Sequence, residues 1–470
     1  MRDAWVALAG LSAVFLVEML DNSVLNVALP TIGTELRAST TALQWVTGAY
    51  SVVFGGLMLV FGAVADRVGR RRLMLAGLVL LGLASLATAF VTTAGELIVV
   101  RAVMGLAAAV TAPGSMALAY RLFDQEGPRI RAMTLISSVG MIGLAIGPTV
   151  GGFVLAVTHW QVLLLVNVPI AVLAIIGVRF GIAADTAEEL HRDPVDVPGA
   201  VLGTATIVLA LVVPTLFVNE GAGTWAPWTA AVAAVIGAVL FVLRERSTRF
   251  PLLDLGLVTR PLVSSGLAYK AAAGLATAGL GYLVTLQLQL EWGWPPVLAA
   301  LGMLPQVVVM LATGPFVNPF VERVGFDRAA WLGASAIVFG LAFYGFLGRF
   351  GYVWVAIALA LVAAGLRVAG VVAVVNVLRG LPKNRTSIGT ALLDTASEIT
   401  SGTGIAVTGT IIAALFTGGG ITTPDWSAGQ AAEFREAVTY AGLVLTVVSA
   451  VLAGWAMLRA RKAADFPERA

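Results

Sequence analysis

Apolar runs long enough to cross a lipid bilayer, separated by short arginine-rich segments, make up most of this sequence. A hydrocarbon core about 30 Å thick is crossed by roughly 20 helical residues. Because lipid offers no hydrogen bonds, the backbone of such a run must satisfy its own polar groups, which favours helices over strands. We therefore predict an all-α polytopic membrane protein with fourteen transmembrane helices, at 5–29, 42–61, 73–93, 96–120, 130–156, 160–180, 196–217, 226–243, 262–290, 297–319, 329–347, 352–377, 387–416 and 437–458.

The distribution of charge supports this interpretation. Only 12% of the 470 residues are charged, whereas about a quarter are charged in an average soluble domain. Most of the 29 lysines and arginines fall in every second segment between the predicted spans. The positive-inside rule then places both termini in the cytoplasm, which requires an even number of spans. The expected location is the inner or plasma membrane.

Several classes of chemistry are excluded by composition. The chain has no cysteine, so disulfides, thiolate metal sites and cysteine nucleophiles cannot occur. None of the three lysines, Lys270, Lys383 and Lys462, follows a glycine, and a Walker A phosphate loop needs that step. We expect a secondary transporter and not an enzyme, with protons as the coupling ion and no cofactor or metal. The expected partners are a small-molecule substrate and the lipid bilayer, without nucleic acid, and the protein is expected to be a monomer.

A short repeat divides the chain. The segment 65–69, ADRVG, follows the second predicted span, and the segment 321–325, VERVG, follows the tenth. Two copies with the same orientation indicate halves related by an axis along the membrane normal. We predict a six-helix bundle at 1–180, two additional spans at 181–260 and a second six-helix bundle at 261–470.

Five motifs together resemble the fourteen-span drug:proton antiporter family of the major facilitator superfamily. The resemblance covers nearly the whole chain and implies the major facilitator fold, in which two six-helix bundles surround a central cavity and two further spans are inserted between them. It also implies proton-driven export of small drugs. The motifs are LDNSVLNVALP at 20–30, GAVADRVGRRR at 62–72, Arg101 with Gly105, GLAIGPTVGG at 143–152, and NVP at 167–169 with DVPG at 196–199.

Two carboxylates of the first span are candidates for proton coupling. Glu18 and Asp21 are three residues apart and share a helix face. A charge at the bilayer centre costs about 2.5–3.5 kcal/mol on insertion scales, so such residues are usually functional. Desolvation and mutual repulsion favour proton binding by at least one of them. The alternative is a structural pair neutralised by Arg101 of the fourth span, and we place all three in a predicted proton-coupling site.

Two further carboxylates lie one helical turn apart in the thirteenth span. Many members of the family that this chain resembles have neutral or basic residues in this span, whereas this chain has Asp394 and Glu398. We therefore predict that these two acids attract a cationic substrate. The alternative is a buried salt bridge to Lys270 or Arg367. Neutral side chains that could also line the cavity, or instead hydrogen-bond between helices, are Gln287, Gln289 and Asn376.

The resemblance also implies two conformational motifs. A cytoplasmic gating turn would latch the two halves together, although the same arginines also set topology. It comprises Gly62, Asp66, Arg67, Gly69, Arg70, Arg71 and Arg72. The antiporter motif of the fifth span places small residues on one stripe and should permit close helix packing. It comprises Gly143, Gly147, Pro148, Gly151 and Gly152.

These features predict a proton-coupled antiporter that exports small amphipathic, cationic drugs by alternating access. Two alternatives remain. One is a dedicated exporter of a single metabolite or antibiotic, which the sequence does not distinguish from a multidrug exporter. The other is a membrane receptor or scaffold that transports nothing, for which four buried carboxylates would have no use.

Overall fold

The computed structural model describes residues 2–123, 126–185, 196–221, 223–249, 251–253, 255–381, 386–416 and 426–465. Within these ranges the regular structure is entirely helical. The α-helices are α1 Arg2–Glu35, α2 Thr40–Val68, α3 Arg70–Ala87, α4 Ala94–Arg121, α5 Glu126–Val157, α6 Gln161–Leu165, α7 Asn167–Gly181, α8 Val197–Glu220, α9 Trp225–Ser247, α10 Leu255–Val258, α11 Pro261–Leu286, α12 Pro296–Gly302, α13 Leu304–Val324, α14 Phe326–Leu347, α15 Tyr352–Gly380, α16 Thr386–Leu415 and α17 Ala428–Asp465.

Each of the fourteen predicted spans forms helix, but two of them are broken. The sixth is divided at Val166, between α6 and α7, and the tenth at Met303, between α12 and α13. The second break has a local cause, because Pro305 lies in the first turn of α13 and cannot donate the backbone hydrogen bond that would continue α12.

Twelve helical stretches of the described residues are long and apolar enough to cross a membrane. The chain is thus a multi-pass membrane protein. Helices α2 and α5 are not among the twelve, although they have 29 and 32 residues. The count of fourteen spans and the division at residues 180 and 260 stay predictions.

The two halves of the chain share a core at one end of the bundle. We call α1–α7 the N-terminal half and α11–α17 the C-terminal half. The name "loop end" refers to the end of the bundle at which α1 and α11 end. Leu29 and Leu43 of the N-terminal half lie in one buried cluster with Leu283 and Ala300 of the C-terminal half. Such a continuous apolar cluster holds the halves together at the loop end.

At the opposite end, which we call the terminal end, each half has its own core. Here α1 begins and α17 finishes. One buried cluster contains only residues of the N-terminal half and another only residues of the C-terminal half. The halves therefore adhere at the loop end and pack independently at the terminal end. Representative members are Leu11, Met74 and Leu118 in the first cluster and Tyr269, Ala334 and Val377 in the second.

The α8–α9 hairpin lies between the halves in sequence and packs on the seam between them. Thr204 of α8 donates a hydrogen bond to Gly56 O of α2 at 2.9 Å. Gln44 of α2 donates to Ala406 O of α16 at 3.0 Å and to Thr215 Oγ1 of α8 at 3.4 Å. One amide thus connects both halves and the inserted hairpin.

An ion pair closes the hairpin at its base. Asp196, directly before α8, accepts hydrogen bonds from Arg244 of α9 at 2.8–3.1 Å. These bonds hold the pKa of the Asp196 carboxyl below its usual value. The charged pair fixes the two inserted helices to each other, since it joins the start of one to the end of the other.

The repeated turn has the same backbone in both halves. Gly69 joins α2 to α3 with φ of 107°, and Gly325 joins α13 to α14 with φ of 87°. Each glycine N–H donates to a carbonyl four residues earlier, Ala65 O and Val321 O, at 3.0 Å. Both turns need a left-handed backbone, which explains why each copy ends in glycine.

Candidate functional site

Asp21 is completely enclosed by partners from other helices. Its side chain is buried in α1, and its Oδ2 pairs with Arg101 of α4, whose side chain is also buried. Its Oδ1 accepts a hydrogen bond from Asn167 Nδ2 at 2.8 Å. Both carboxylate oxygens are therefore held by charge-assisted or amide hydrogen bonds, and three helices meet at one acidic group.

Arg101 has further contacts that fix its orientation. Its Nε donates to Val46 O at 3.3 Å, and its guanidinium carbon lies 4.5 Å from the ring centroid of Tyr50. Both residues belong to α2. A guanidinium over an aromatic face is stabilised by the ring quadrupole. The cation is thus confined between Asp21 and α2, the contact that the structural alternative describes for Asp21, and the coupling role of Arg101 stays a prediction.

Glu18 has a different environment from Asp21. It is 8% exposed, and its buried Oε2 has no hydrogen-bond partner among the described residues. It lines a small cavity together with Asp21, Tyr50 and Thr111, and apolar residues complete the wall. Of the two predicted coupling carboxylates, Asp21 is paired and Glu18 presents a buried carboxylate oxygen without a donor.

The thirteenth-span carboxylates approach this group from the other half. Glu398 of α16 is buried, and its Cβ is 3.2 Å from the position that a Cβ on Gly55 of α2 would take. Glu18 is close enough to Glu398 and to Asp394 for each of them to repel its charge. Lys270 attracts Asp394. Glu18 of α1 is thus within electrostatic range of both acids of α16.

The predicted neutral residues of the ninth span connect helices at the loop end. Gln289 Nε2 donates to Val27 O of α1 at 2.8 Å and so joins the two halves. Gln287 Nε2 donates to Gly348 O at 3.4 Å within the C-terminal half. The structure gives both amides partners in other helical segments, and their contact with substrate stays a prediction.

Asn376 and Arg367 of the C-terminal half, which the sequence also singled out, contact other helices of the same half. Asn376 of α15 donates to Ser265 Oγ of α11 at 3.2 Å. The guanidinium of Arg367 lies against Gly314 of α13. The sequence allowed Asn376 either to line the cavity or to form a hydrogen bond between helices, and the observed contact is of the second kind.

The gating turn is held by an acid that sequence reasoning did not select. Asp185, beyond the end of α7, accepts a hydrogen bond from the Arg71 backbone N–H at 3.0 Å, and a Cβ on Gly69 would meet its Oδ2 at 2.6 Å. The Arg71 side chain donates to Val178 O and Arg179 O at 3.4 and 2.5 Å. The carboxylate thus caps the first turn of α3 and joins it to α7.

The other gating residues have less specific positions. A Cβ on Gly62 would come within 3.7 Å of Pro113 in α4. Arg67 and Arg70 are partly exposed and Arg72 is exposed. The Asp66 side chain lies outside the part of the structure that is described, so its latching role stays a prediction.

The glycine stripe of the antiporter motif packs against the helix that carries the carboxylates. At each of three positions in α5, one turn apart, an added Cβ would collide with α1. The collisions of Gly143, Gly147 and Gly151 are with Leu16, Ser23 and Val24, respectively. Ser23 Oγ also donates to Gly143 O at 3.4 Å. The motif therefore sets the distance between α5 and the segment of α1 that contains Glu18 and Asp21.

The last glycine of the motif contacts the opposite half. A Cβ on Gly152 would lie 2.6 Å from Ala300 Cβ and 2.7 Å from Pro296 O, both in α12. Pro148 lies inside α5, which continues past it as helix. The motif thus gives α5 two contacts. One stripe of glycines packs against α1, which carries Glu18 and Asp21, and Gly152 forms a contact between the halves at the loop end.

Two residues of the site were not selected as functional from the sequence. Asn167 belongs to the NVP motif, and a buried amide within an apolar run could have marked it, because polar groups in lipid need partners. Tyr50 had no comparable signal, since a tyrosine within a span is usual. Among the described residues, no group of three or more His, Cys, Asp or Glu side chains could hold a metal ion.

Comparison with known proteins now places this arrangement in a family. The model of the Major Facilitator Superfamily matches residues 11–405. A methyl viologen resistance protein of Salmonella typhimurium is 31% identical over 421 residues, which cover 88% of this chain and 83% of that protein. A multidrug efflux pump of Mycolicibacterium smegmatis is 32% identical over 418 residues, which cover 88% and 82%. A cephamycin export protein of Amycolatopsis lactamdurans is 33% identical over 334 residues, which cover 71% and 68%.

A solved structure shows the same fold at much lower identity. A bacterial homologue of the human lysosomal transporter Spinster, in an inward-facing and unoccupied conformation, superimposes with a TM-score of 0.69. It is 15% identical, and the match covers 98% of this chain and 97% of that one. With a family model across most of its length and relatives above 30% identity over 88% of its residues, the chain belongs to the Major Facilitator Superfamily of membrane transporters, which confirms the sequence resemblance to its multidrug efflux proteins.

Proposed function

We propose that this protein exports small amphipathic cations in exchange for protons by alternating access. The observation that carries the proposal is the set of acids within the apolar helices α1 and α16, which includes the buried Asp21–Arg101 pair and Glu18, whose buried Oε2 has no hydrogen-bond donor among the described residues. Carboxylates at membrane depth can bind either a proton or a cation, and competition between the two couples their fluxes.

The arrangement of the two halves supports the alternating-access part of the proposal. The halves share a core at the loop end and have separate cores at the terminal end. With fourteen spans and both termini in the cytoplasm, the end with separate cores faces the cytoplasm. Substrate would then enter from the cytoplasm in this conformation, and export requires that the loop end open while the terminal end closes.

Asp21 is the proposed proton switch. In the charged form its two oxygens hold Arg101 and Asn167. A proton on the carboxylate cancels its attraction for Arg101, so the three-helix connection weakens and the relative stability of the two conformations changes. Proton binding from outside would favour release of the cation there, and proton loss to the cytoplasm would restore the site.

Drugs are the proposed cargo because relatives over most of the chain are a methyl viologen resistance protein and a multidrug efflux pump. The second candidate is a dedicated exporter of one metabolite or antibiotic. The similarity to a cephamycin export protein favours it. The two candidates share one mechanism and differ in the range of substrates that the cavity accepts.

Purified protein in liposomes tests the proposal. An imposed proton gradient should drive accumulation of tetraphenylphosphonium, a lipophilic monocation, and substrate movement should carry protons in the opposite direction, visible with a pH-sensitive dye inside the liposomes. A protonophore should abolish both signals. Accumulation that continues after the gradient is removed contradicts proton coupling, and transport of one compound from a chemically diverse panel favours the dedicated exporter.

A further inference from the structure

We propose that the α8–α9 hairpin moves as a part of the N-terminal half and covers its boundary with α16, and that Gln44 exchanges hydrogen-bond acceptors when the C-terminal half moves. This inference rests on the proposed alternating access and goes beyond it. The hairpin lies between the halves in sequence, so its place in the chain does not say which half it follows. The contacts of α8 with α2 and with α16 decide the assignment.

Hydrogen bonds attach α8 to α2 at two levels. Thr204 Oγ1 donates to Gly56 O of α2 at 2.9 Å, and a Cβ added to Gly56 would lie 3.4 Å from Thr204 Cγ2. Closer to the loop end, Thr215 Oγ1 of α8 accepts a hydrogen bond from Gln44 Nε2 of α2 at 3.4 Å. Because hydrogen bonds depend on distance and angle, these contacts fix the position of α8 along α2.

The contact of α8 with α16 is of a different kind. Leu211 of α8 and Ala406 of α16 belong to one small buried apolar cluster together with Val52 of α2. Among the described residues of α8 and of the C-terminal half, no direct hydrogen bond joins the two. Apolar contacts are non-directional, so α16 can slide along α8 without breaking a bond between them.

Two consecutive glycines show that α8 lies directly beside the boundary of the halves. A Cβ added to Gly55 would lie 3.0 Å from Ile399 N and 3.2 Å from Glu398 Cβ, both of α16. The next residue, Gly56, faces Thr204 of α8 instead. A hairpin that stays with α2 therefore keeps this boundary covered from the lipid while α16 moves.

Gln44 is the positioning residue at which the exchange takes place. Its side chain is 2% exposed, and a Cβ added to Gly409 of α16 would lie 2.8 Å from its Cγ. Its Nε2 donates to Ala406 O at 3.0 Å and to Thr410 Oγ1 at 3.4 Å, both of α16, in addition to Thr215 of α8. When α16 withdraws, Thr215 is the acceptor that remains, so the buried amide is not left without a partner.

Reversible crosslinks test which half carries the hairpin. Because the chain has no cysteine, each introduced pair supplies the only thiols, and wild-type protein is the control for the reagent. A short reagent that joins two thiols through cleavable disulfides closes each pair, and accumulation of tetraphenylphosphonium in liposomes is measured before and after reduction. The pairs join α2 to α8, α8 to α16 and α2 to α16, and they are Gly56→Cys with Thr204→Cys, Thr215→Cys with Thr410→Cys, and Ser51→Cys with Gly402→Cys.

The distances suit these crosslinks. Thr215 Oγ1 and Thr410 Oγ1 each lie 3.4 Å from the same nitrogen of Gln44. A Cβ added to Gly402 would lie 3.5 Å from Ser51 Cβ, within the range of a disulfide. If the second pair does not fold or close, Leu211→Cys with Ala406→Cys takes its place, since both residues belong to the same buried cluster.

The three pairs have different expected results. The closed α2–α8 pair should retain most of the transport seen after reduction, whereas the closed α8–α16 and α2–α16 pairs should each lower it about tenfold or more, because they join bodies that move relative to each other. Loss of transport with the α2–α8 pair, or full transport with the α8–α16 pair, overturns the assignment of the hairpin. Full transport with the closed α2–α16 pair instead contradicts the proposed alternating access.

Two matched threonine variants test the exchange at Gln44. Thr215→Val leaves the amide two acceptors on α16 in this conformation but removes the one that remains after α16 withdraws, so labelling of a Val27→Cys reporter at the loop end should be about fivefold slower. Thr410→Val leaves Ala406 O and Thr215 for the two amide hydrogens and should stay within about twofold of the unmodified background. Equal labelling rates in the two variants overturn the exchange of acceptors.

Discussion

The N- and C-terminal halves repeat the same turn but place different chemistry behind it. Gly69 and Gly325 have nearly the same backbone and the same capping hydrogen bond. The interior of the N-terminal half contains an ion pair, Asp21 with Arg101, on α1 and α4. In the C-terminal half, the described polar contact between the buried interiors of α11 and α15 is the neutral Asn376–Ser265 bond. The two halves thus share the backbone of this turn, and the buried Asp21–Arg101 pair belongs to the N-terminal half.

The repeated turns also differ in what covers them. A Cβ on Gly69 would meet the Asp185 carboxylate, whereas a Cβ on Gly325 would have no neighbour within 4 Å among the described atoms. The first turn is therefore held by an acid from the segment that leads into the inserted hairpin. No described atom occupies the corresponding position over the second turn, so the same sequence motif has different neighbours in the two halves.

The largest expected difference between the halves comes from removing one acid in each. Asp21→Asn should abolish gradient-driven accumulation of tetraphenylphosphonium, because an amide cannot exchange a proton and leaves Arg101 without its counter-ion. Glu291→Gln, at an acid of the C-terminal half that pairs with Arg435 at the loop end, is the matched control and should retain transport. Both are checked in liposomes after the folded fraction has been determined by size-exclusion chromatography. Uphill transport by Asp21→Asn shows that the pair is structural.

A matched pair of glycine substitutions compares the turns. Gly325→Ala should lower stability by about 1–2 kcal/mol, the cost of a left-handed backbone for a residue with a Cβ. Gly69→Ala has that cost and also forces its methyl group against Asp185, which adds about 1–3 kcal/mol. Thermal unfolding in detergent measures both. Equal loss of stability in the two variants means that Asp185 moves aside and does not hold the turn.

Two asparagines compare the contact with the Asp21–Arg101 pair with the neutral contact between α11 and α15. Asn167→Ala removes a hydrogen bond to the Asp21 carboxylate, and such bonds contribute about 1.5–3 kcal/mol, so export should fall about tenfold or more. Asn376→Ala removes a neutral bond and should cost less than about tenfold. The dependence of export on pH should change only in Asn167→Ala. An unchanged pH profile excludes a positioning role for Asn167.

The smallest expected effect concerns the junction of the halves. Gly152→Ala places a methyl group against α12 and should loosen the loop end, whereas Gly370→Ala, with no neighbour within 4 Å, should not. Because the chain has no cysteine, a single Val27→Cys reporter measures the opening through its labelling rate. We expect a few-fold faster labelling with Gly152→Ala. The same rate in both backgrounds shows that this contact does not govern the closure.

The charged residues of the site could be chosen from the sequence because each is conspicuous against its apolar surroundings. Glu18, Asp21 and Arg101 lie within long hydrophobic runs. Because a charge in lipid is costly, each of them is a candidate functional residue. Their environments could not be predicted, because Glu18 and Asp21 share a helix face, and yet Asp21 has an ion pair while the buried Oε2 of Glu18 has no hydrogen-bond partner among the described residues. Asp185 shows the same limit, since a carboxylate after a span has no local pattern that indicates the turn it will cap.

The sequence by itself determined the helices, their approximate ends and the repeated glycine turns. These features depend on hydrophobic run length and on backbone sterics, which act over a few residues. Only the tertiary structure decided the partners: Asn167 meets Asp21 across 146 positions, and Gln289 meets Val27 across 262. It also decided that the halves share a core at one end and not at the other. The physical reason is that hydropathy specifies which residues are apolar but not which helix faces which, since lipid and protein bury an apolar face almost equally well.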